Sequence, residues 1–273
     1  TTDSRYEGDL DVVQASEAEV AYLLRETNNV IPSAALGVDD VLYTYSGVRP
    51  LPYVREGATG GITRRHILYD HGKYDGIHGL LSIIGGKITT YRSLAEHAIN
   101  VACKQLGVRT PSRTATTPLP GAAWDTPADI VRNQGRVLRA RYGLDDTLIA
   151  HLAGLYGSQI AAVLGTSATD AALRRRLAPD VPLIGAQVLY AIEHEQAVSL
   201  TDALFRRTMS SYERDRGFTV VAPVAELVGT VLGWSGPRIE AEIEQYRTTI
   251  KQHLPKPAEI GAFTYNGPTV TTQ

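Results

Sequence analysis

The sequence predicts an α+β segment followed by an all-α helical domain. Three observations lead there. Up to Leu106, short β-branched stretches alternate with amphipathic ones, and a Pro- and Gly-bearing stretch then breaks all periodicity. From Thr126 to Leu254, apolar residues recur at helical spacing with no competing strand pattern. The 273 residues, 43% of them hydrophobic, suffice for one large core or two modest ones. We therefore read residues 1–107 as part of an α/β domain, 108–125 as a linker, 126–254 as a helical domain and 255–273 as an extended or disordered tail.

Each element has a local reason. Ser16 with Glu19 forms a capping box, opening an amphipathic helix with Val20, Leu23, Leu24 and Val30 on one face and Pro32 at its end. Val41–Leu51, rich in β-branched and aromatic residues, reads as a strand ended by Pro50. Gly57–Gly61 reads as a loop, Ile62–Tyr69 as a second strand and Asp70–Gly79 as a polar turn. Leu80–Ile84 is almost wholly apolar, the pattern of a strand buried on both faces. It runs straight into Gly85-Gly86-Lys87 and a helix ending near Leu106, before Gly107. Beyond the linker, Thr126-Pro127-Ala128-Asp129 supplies a cap, a first-turn proline and a first-turn acid for a helix to Gly143. Further helices are predicted at 146–156, 158–164, 168–177, 185–195, 200–214, 223–232 and 237–254.

Composition excludes several functions. With 27 Lys+Arg against 29 Asp+Glu, a net of −2, no basic field collects nucleic acid. Cys103 is the single cysteine, which rules out an intrachain disulfide or a multi-cysteine metal site and fits a reducing compartment. No apolar run reaches the ~18–20 residues of a membrane span, and no signal-peptide pattern opens the chain. Met209 is the only methionine, so the chain starts at Thr1 without an initiator and reads as a piece of something longer.

The strongest chemical signal is Gly85-Gly86-Lys87-Ile88-Thr89-Thr90. Two glycines permit a sharp turn and close approach, and the helix start attracts an anion or an electron-rich carbonyl. The same pattern also serves as an ordinary tight strand-to-helix turn. It is neither a Walker loop nor a dinucleotide fingerprint, since no Gly-x-Gly-x-x-Gly occurs. Arg49, beside the rigid Pro50, suits bidentate binding of phosphate or carboxylate, though local sequence alone favours a surface ion pair. Arg64 and Arg65 alternate faces, so only one of them turns to a pocket. His66, His71 and His78 lack metal-ligand spacing and read as solvated or structural; Cys103 reads as a buried small hydrophobe. Arg174-Arg175-Arg176 reads as a solvated helix face, with an anionic lipid surface as the alternative.

Together these segments resemble one family. Thr1-Thr2-Asp3 with Tyr6-x-Gly8-Asp9, Tyr45-Ser46-Gly47-Val48-Arg49-Pro50-Leu51, Ile62-Thr63-Arg64 and Gly85-Gly86-Lys87-Ile88-Thr89-Thr90-Tyr91-Arg92-x-x-Ala95-Glu96 are similar, in order and spacing, to the FAD-dependent glycerol-3-phosphate dehydrogenases of the aerobic, quinone-linked type. The helical part resembles that family's C-terminal domain through Glu195-x-Ala197-x-x-Leu200-x-Asp202-x-Leu204-x-Arg206-Arg207-Thr208 and Leu232-x-Trp234-Ser235-x-x-Arg238-x-x-x-Glu242-x-x-x-Tyr246.

The resemblance implies a C-terminal portion, with the N-terminal Rossmann, FAD-binding domain lying upstream and residues 1–107 as the closing part of an FAD- and substrate-binding domain. It implies oxidation of sn-glycerol 3-phosphate to dihydroxyacetone phosphate, hydride passing to FAD and electrons to a membrane quinone, or to oxygen in related oxidases. On that reading Gly85, Gly86, Lys87, Ile88 and Thr89 contact the flavin and Arg49 and Arg64 the substrate. No general base is assigned, no metal is expected, and this portion alone is inactive. The implied location is the cytoplasm, with peripheral attachment to the cytoplasmic membrane. A non-catalytic docking module is the alternative, above all for the helical half.

Overall fold

The computed structural model describes residues 2, 5–54, 61–123 and 126–255. Two compact units divide the chain: the first takes Thr1–Asp40 and Thr44–Thr117, the second Val41–Tyr43 and Pro118–Leu254. The sequence readings for Thr1, Asp3, Gly57–Gly60 and the tail from residue 256 lie outside the described residues.

In the first unit, helix α1 (Glu17–Val30) has the expected reciprocal cap. Ser16 Oγ accepts the Glu19 N–H at 3.2 Å, and the Glu19 carboxylate accepts the Ser16 N–H at 3.0 Å. Strands β1 (Ile67–Asp70) and β2 (Leu81–Ile84) pair antiparallel, with Ile67 opposite Ile84 and Asp70 opposite Leu81. Between them a single helical turn, α2 (His71–Tyr74), stands where the sequence predicts only a polar turn, capped by the Asp70 carboxylate on the Gly72 N–H. Helix α3 (Tyr91–Gln105) follows.

Three strand expectations need correction. Residues 41–51 form no strand: Pro50 and Pro52 lack N–H donors, and the Leu51 N–H turns back onto the Arg49 carbonyl at 2.8 Å. The second strand starts at Ile67 rather than Ile62, because Thr63 Oγ1 accepts the Arg65 N–H at 3.2 Å and bends the chain locally. β2 is not buried on both faces, since Ile83 is 49% exposed and no β2 residue is fully covered. Among the described residues of this unit only Val20 is buried, and α3 covers none of its own side chains completely.

The second unit holds the core. Helices α4 (Pro127–Tyr142), α5 (Asp146–Tyr156), α6 (Ile160–Gly165) and α7 (Gly185–Glu195) supply one apolar cluster, including Ile130, Leu138, Leu148, Ile149, Leu152, Ile160 and Ile184. A second cluster joins Leu183, Leu200, Leu204, Val224, Val228, Tyr246 and Ile250, drawing on α8 (Val221–Leu232) and α9 (Gly236–Gln252). Together α5 and α6 reach membrane-span length, Asp146–Gly165 with mean hydropathy 1.4, contrary to the expectation that nothing does. A 3₁₀ turn at Gly157–Gln159 divides that stretch, and its Leu148, Leu152, Ile160 and Leu164 are core residues.

The predicted 168–177 helix reduces to a 3₁₀ turn at Ala171–Arg174. Its arginines are mostly not a solvated face. Arg176 grips Asp145 bidentately at 2.7 and 3.1 Å, and Arg174 donates to the Ser167 carbonyl at 3.1 Å, leaving Arg175 exposed. Arg176 holds the Asp145 carboxyl below its usual range, so Asp145 stays ionised to cap the Leu148 N–H. The predicted 200–214 helix breaks into a π-helical stretch, Asp202–Arg207, and a 3₁₀ turn, Ser210–Tyr212. The Thr208 N–H and hydroxyl both donate to the Ala203 carbonyl, at 2.9 and 2.8 Å, which holds the widened turn.

One buried carboxylate ties this unit together. Glu242 on α9, only 6% exposed, accepts the Leu200 N–H at 2.9 Å and pairs with Arg238. Glu242→Ala leaves that amide buried without an acceptor and is expected to cost about 3 kcal/mol. Glu242→Gln, which keeps an acceptor, is expected to lose about 1 kcal/mol. Urea unfolding followed by far-UV circular dichroism checks both.

Candidate functional site

Three segments meet at Gly85. Its N–H donates to the Pro50 carbonyl at 2.8 Å, the residue after Arg49. A Cβ placed on Gly85 would stand 2.9 Å from the Arg65 carbonyl oxygen, the residue after Arg64, and 3.8 Å from Pro52 Cδ. Gly86 is as constrained: its Cβ would stand 2.9 Å from Leu94 on α3 and 3.6 Å from His66. Both have positive φ, +74° and +99°, a conformation that side chains disfavour. The glycines make the sharp turn that the sequence predicts, and the close approach at them is of the chain's own Arg65 carbonyl and Leu94 side chain.

Lys87 is extended and precedes a 3₁₀ turn, Ile88–Thr90, before α3 begins at Tyr91. The helix starts one turn later than the sequence predicts. Its first turn is held by the Thr90 N–H and hydroxyl on the Lys87 carbonyl, at 2.9 and 3.0 Å. Thr90, the residue before α3, makes no side-chain cap, while the Tyr91 N–H donates to the Ile88 carbonyl; the positive end of the dipole lies beside this turn. Lys87, Ile88 and Thr89 are exposed, as are Arg49 and Arg64. The fold thus gathers the backbone beside both arginines around the glycine turn. Sequence reasoning missed the partners that make this turn obligatory, the Pro50 and Arg65 carbonyls and the Leu94 side chain. The glycine pair announced a close approach without saying to what.

The remaining singled-out residues go elsewhere. His66 Nε2 lies 3.2 Å from His97 Nδ1, while His71 bonds Asp75 and Ser82. The hydrogen bond to Asp75 raises the Tyr69 phenol above its usual range. Among the described residues no three His, Cys, Asp or Glu side chains gather as metal ligands. Cys103 is half-buried rather than buried.

The described residues thus combine a two-stranded hairpin, a turn of two positive-φ glycines and the helix α3 with a separate all-α unit, an α+β part followed by an all-α domain. Residues 112–239 match the family described as the C-terminal domain of alpha-glycerophosphate oxidase. Over 258 residues the chain is 40% identical to a glycerol-3-phosphate dehydrogenase of Synechocystis, covering 93% of this chain and 45% of that one. It is 37% identical over 209 residues to the aerobic glycerol-3-phosphate dehydrogenase of Escherichia coli, covering 76% of this chain and 40% of the relative. The solved structure of the Bacillus halodurans glycerol-3-phosphate dehydrogenase complexed with FAD shares the fold, with TM-score 0.73 at 24% identity over 96% of this chain and 50% of that one. The chain spans half or less of the length of these relatives, and it is similar to their C-terminal part, as the sequence motifs led us to expect.

Gly85→Ala is expected to lose at least about 2 kcal/mol, from the backbone conformation and the clash with the Arg65 carbonyl. Gly76 has the same φ of +74° with nothing within 4 Å, so Gly76→Ala isolates the backbone cost, about 1 kcal/mol. Faster hydrogen exchange of the amide at position 85, in the first variant only, is the readout.

Proposed function

We infer that this chain forms the C-terminal portion of an FAD-dependent glycerol-3-phosphate dehydrogenase, which oxidises sn-glycerol 3-phosphate to dihydroxyacetone phosphate. The convergence at Gly85 carries this reading, because one turn collects the Arg49 segment, the Arg64 segment and the start of α3. The relatives' names and the FAD complex of the Bacillus halodurans protein support it.

The residues present fit a flavin. At Gly85 and Gly86 a side chain would collide at 2.9 Å with the Arg65 carbonyl and Leu94, so the turn stays free of side chains of its own, and it leads to a helix start that favours negative charge. FAD, when bound, supplies the hydride acceptor. Lys87 and the leading amides at Ile88 and Thr89 then stabilise negative charge on the ring system, with Gly85 and Gly86 admitting it. Arg49 holds the substrate phosphate, and its fixed backbone sets the orientation of C2. Arg64 adds a second cationic contact. No residue of this chain is assigned as the general base. The electrons go on to a membrane quinone, and the protein works in the cytoplasm at the inner face of the cytoplasmic membrane. If oxygen were the acceptor instead, turnover would release stoichiometric hydrogen peroxide.

The scarcity of buried side chains in the first unit also supports this reading, since β2 and α3 keep apolar surface for another part of a domain to cover. This chain contains no Gly-x-Gly-x-x-Gly, so the ADP half of FAD has no fingerprint site here. The purified 273-residue chain is accordingly expected to be inactive and to carry no stoichiometric flavin by its absorbance near 450 nm; a fully flavin-loaded chain would overturn that clause. In a flavin-loaded enzyme that includes this chain, Arg49→Ala is expected to lower kcat/KM for glycerol 3-phosphate by about 100-fold or more. Unchanged kinetics would remove Arg49 from the site.

A further inference from the structure

The hairpin of the first unit carries a hydrogen-bonded chain that the flavin reading does not use. His71 opens α2 and Asp75 closes it, while Ser82 sits on β2 directly opposite Tyr69. His71 Nδ1 lies 2.6 Å from Asp75 Oδ2, and His71 Nε2 lies 2.8 Å from Ser82 Oγ. The other carboxylate oxygen of Asp75 accepts the Tyr69 hydroxyl at 3.0 Å. A carboxylate is acceptor-only, so Nδ1 carries the proton and Nε2 is left to accept from the serine hydroxyl. Nucleophile, base and orienting acid thus stand in order, each within hydrogen-bond reach of the next, on the nitrogens that acyl transfer requires.

The surrounding backbone holds the arrangement. The His71 N–H donates to the Leu80 carbonyl at 3.1 Å, the Asp75 and Ile77 N–H groups donate to the His71 carbonyl at 2.8 and 3.1 Å, and Gln105 on α3 donates to Asp70 at 2.9 Å. The bond from His71 to Leu80 marks that facing pair as hydrogen-bonded, and alternation along the ladder makes Tyr69 and Ser82 the next such pair. The N–H of Ile83, the residue after the serine, therefore points away from β1, where it can donate to an oxyanion. The His71 side chain is 22% exposed and that of Asp75 39%, so the chain is reachable from solvent.

We propose that Ser82, His71 and Asp75 form a nucleophilic site that takes small activated carboxylic esters. Ser82 Oγ bonds to the carbonyl carbon while His71 Nε2 takes the hydroxyl proton, and the Asp75 carboxylate steadies the imidazolium. The ester C–O bond breaks and His71 returns the proton to the departing alkoxide. Water then attacks the acyl-serine, giving one proton to His71 and releasing the carboxylic acid as Ser82 regains its hydroxyl proton. No redox step is involved, so the site stands or falls independently of the flavin reading.

A fluorophosphonate probe tests it on the 273-residue chain, with adducts mapped by peptide mass spectrometry. The serine hydroxyl displaces fluoride in the same geometry, so one equivalent on Ser82 is expected, and none in Ser82→Ala. His71→Gln is expected to slow labelling by about 100-fold. An unlabelled Ser82, or equal rates with His71→Gln, would overturn the proposal and leave the contacts as a tie across the hairpin. Because His71→Gln can also loosen the hairpin, Ser82→Cys supplies a second arm. Alkylation by iodoacetamide is expected to extend to lower pH at position 82 than at Cys103 of the same molecules, and coincident pH profiles would refute the activation of this position.

Discussion

The arrangement of the first unit depends on one close approach. At Gly85 the chain leaves β2 with φ +74°, donates its amide to Pro50 and passes so near the Arg65 carbonyl that no side chain fits. That contact converts residues distant in sequence into neighbours, and it does so through backbone rather than through side-chain packing. The distinction matters because, among the described residues, this unit has almost no buried core with which to hold a site together. A two-stranded hairpin is marginal by itself, so positional accuracy has to come from hydrogen bonds and excluded volume.

The two units show opposite physical strategies. In the helical unit, apolar clusters are sealed and several of the polar groups inside are answered, although Thr201 Oγ1 and Ser211 Oγ are buried without a hydrogen-bond partner among the described residues. Glu242 meets the Leu200 amide, Tyr246 gives its hydroxyl to the Arg216 carbonyl at 2.6 Å, and the Gln187 carbonyl oxygen takes the Ile184 N–H at 3.1 Å. Burial raises the Tyr246 phenol well above its usual range, so it remains a donor at any physiological pH. The first unit instead leaves Ile88, Tyr53 and Leu106 at least 78% exposed.

What was legible in the sequence was chemistry written into adjacent residues. The capping box at Ser16, the cap at Thr126, the helix end at Gly143 and the turn at Gly85-Gly86 are local, and the structure contains each of them. What failed depended on distant partners. Val41–Leu51 has the composition of a strand, yet a strand needs a ladder, and its prolines and local turn offer none. The run around Arg174 has helical spacing, but Asp145, thirty-one positions earlier, claims Arg176 and pulls the chain out of helix. The widened turn at Asp202–Arg207 is set by Thr208 doubling its bonds to one carbonyl, which no period of apolar residues reveals. The sequence singles out Arg49, Arg64 and the glycine turn one by one, but not their convergence, because the approach to the Pro50 and Arg65 carbonyls is a tertiary fact.

The helical unit is not contiguous along the chain. Val41–Tyr43 belongs to it, with the Tyr43 ring stacked on His253 at 4.9 Å and lying 4.8 Å from Tyr212 and 5.9 Å from Phe205. A cut between Thr117 and Pro118 would release a helical piece with an aromatic slot and no tenant. Recombination at that junction is consequently not neutral: an exchange of the helical half between homologues moves the slot without the residue that fills it. The three-residue stretch and the helices must then vary as a matched set, and no single cut separates the two units.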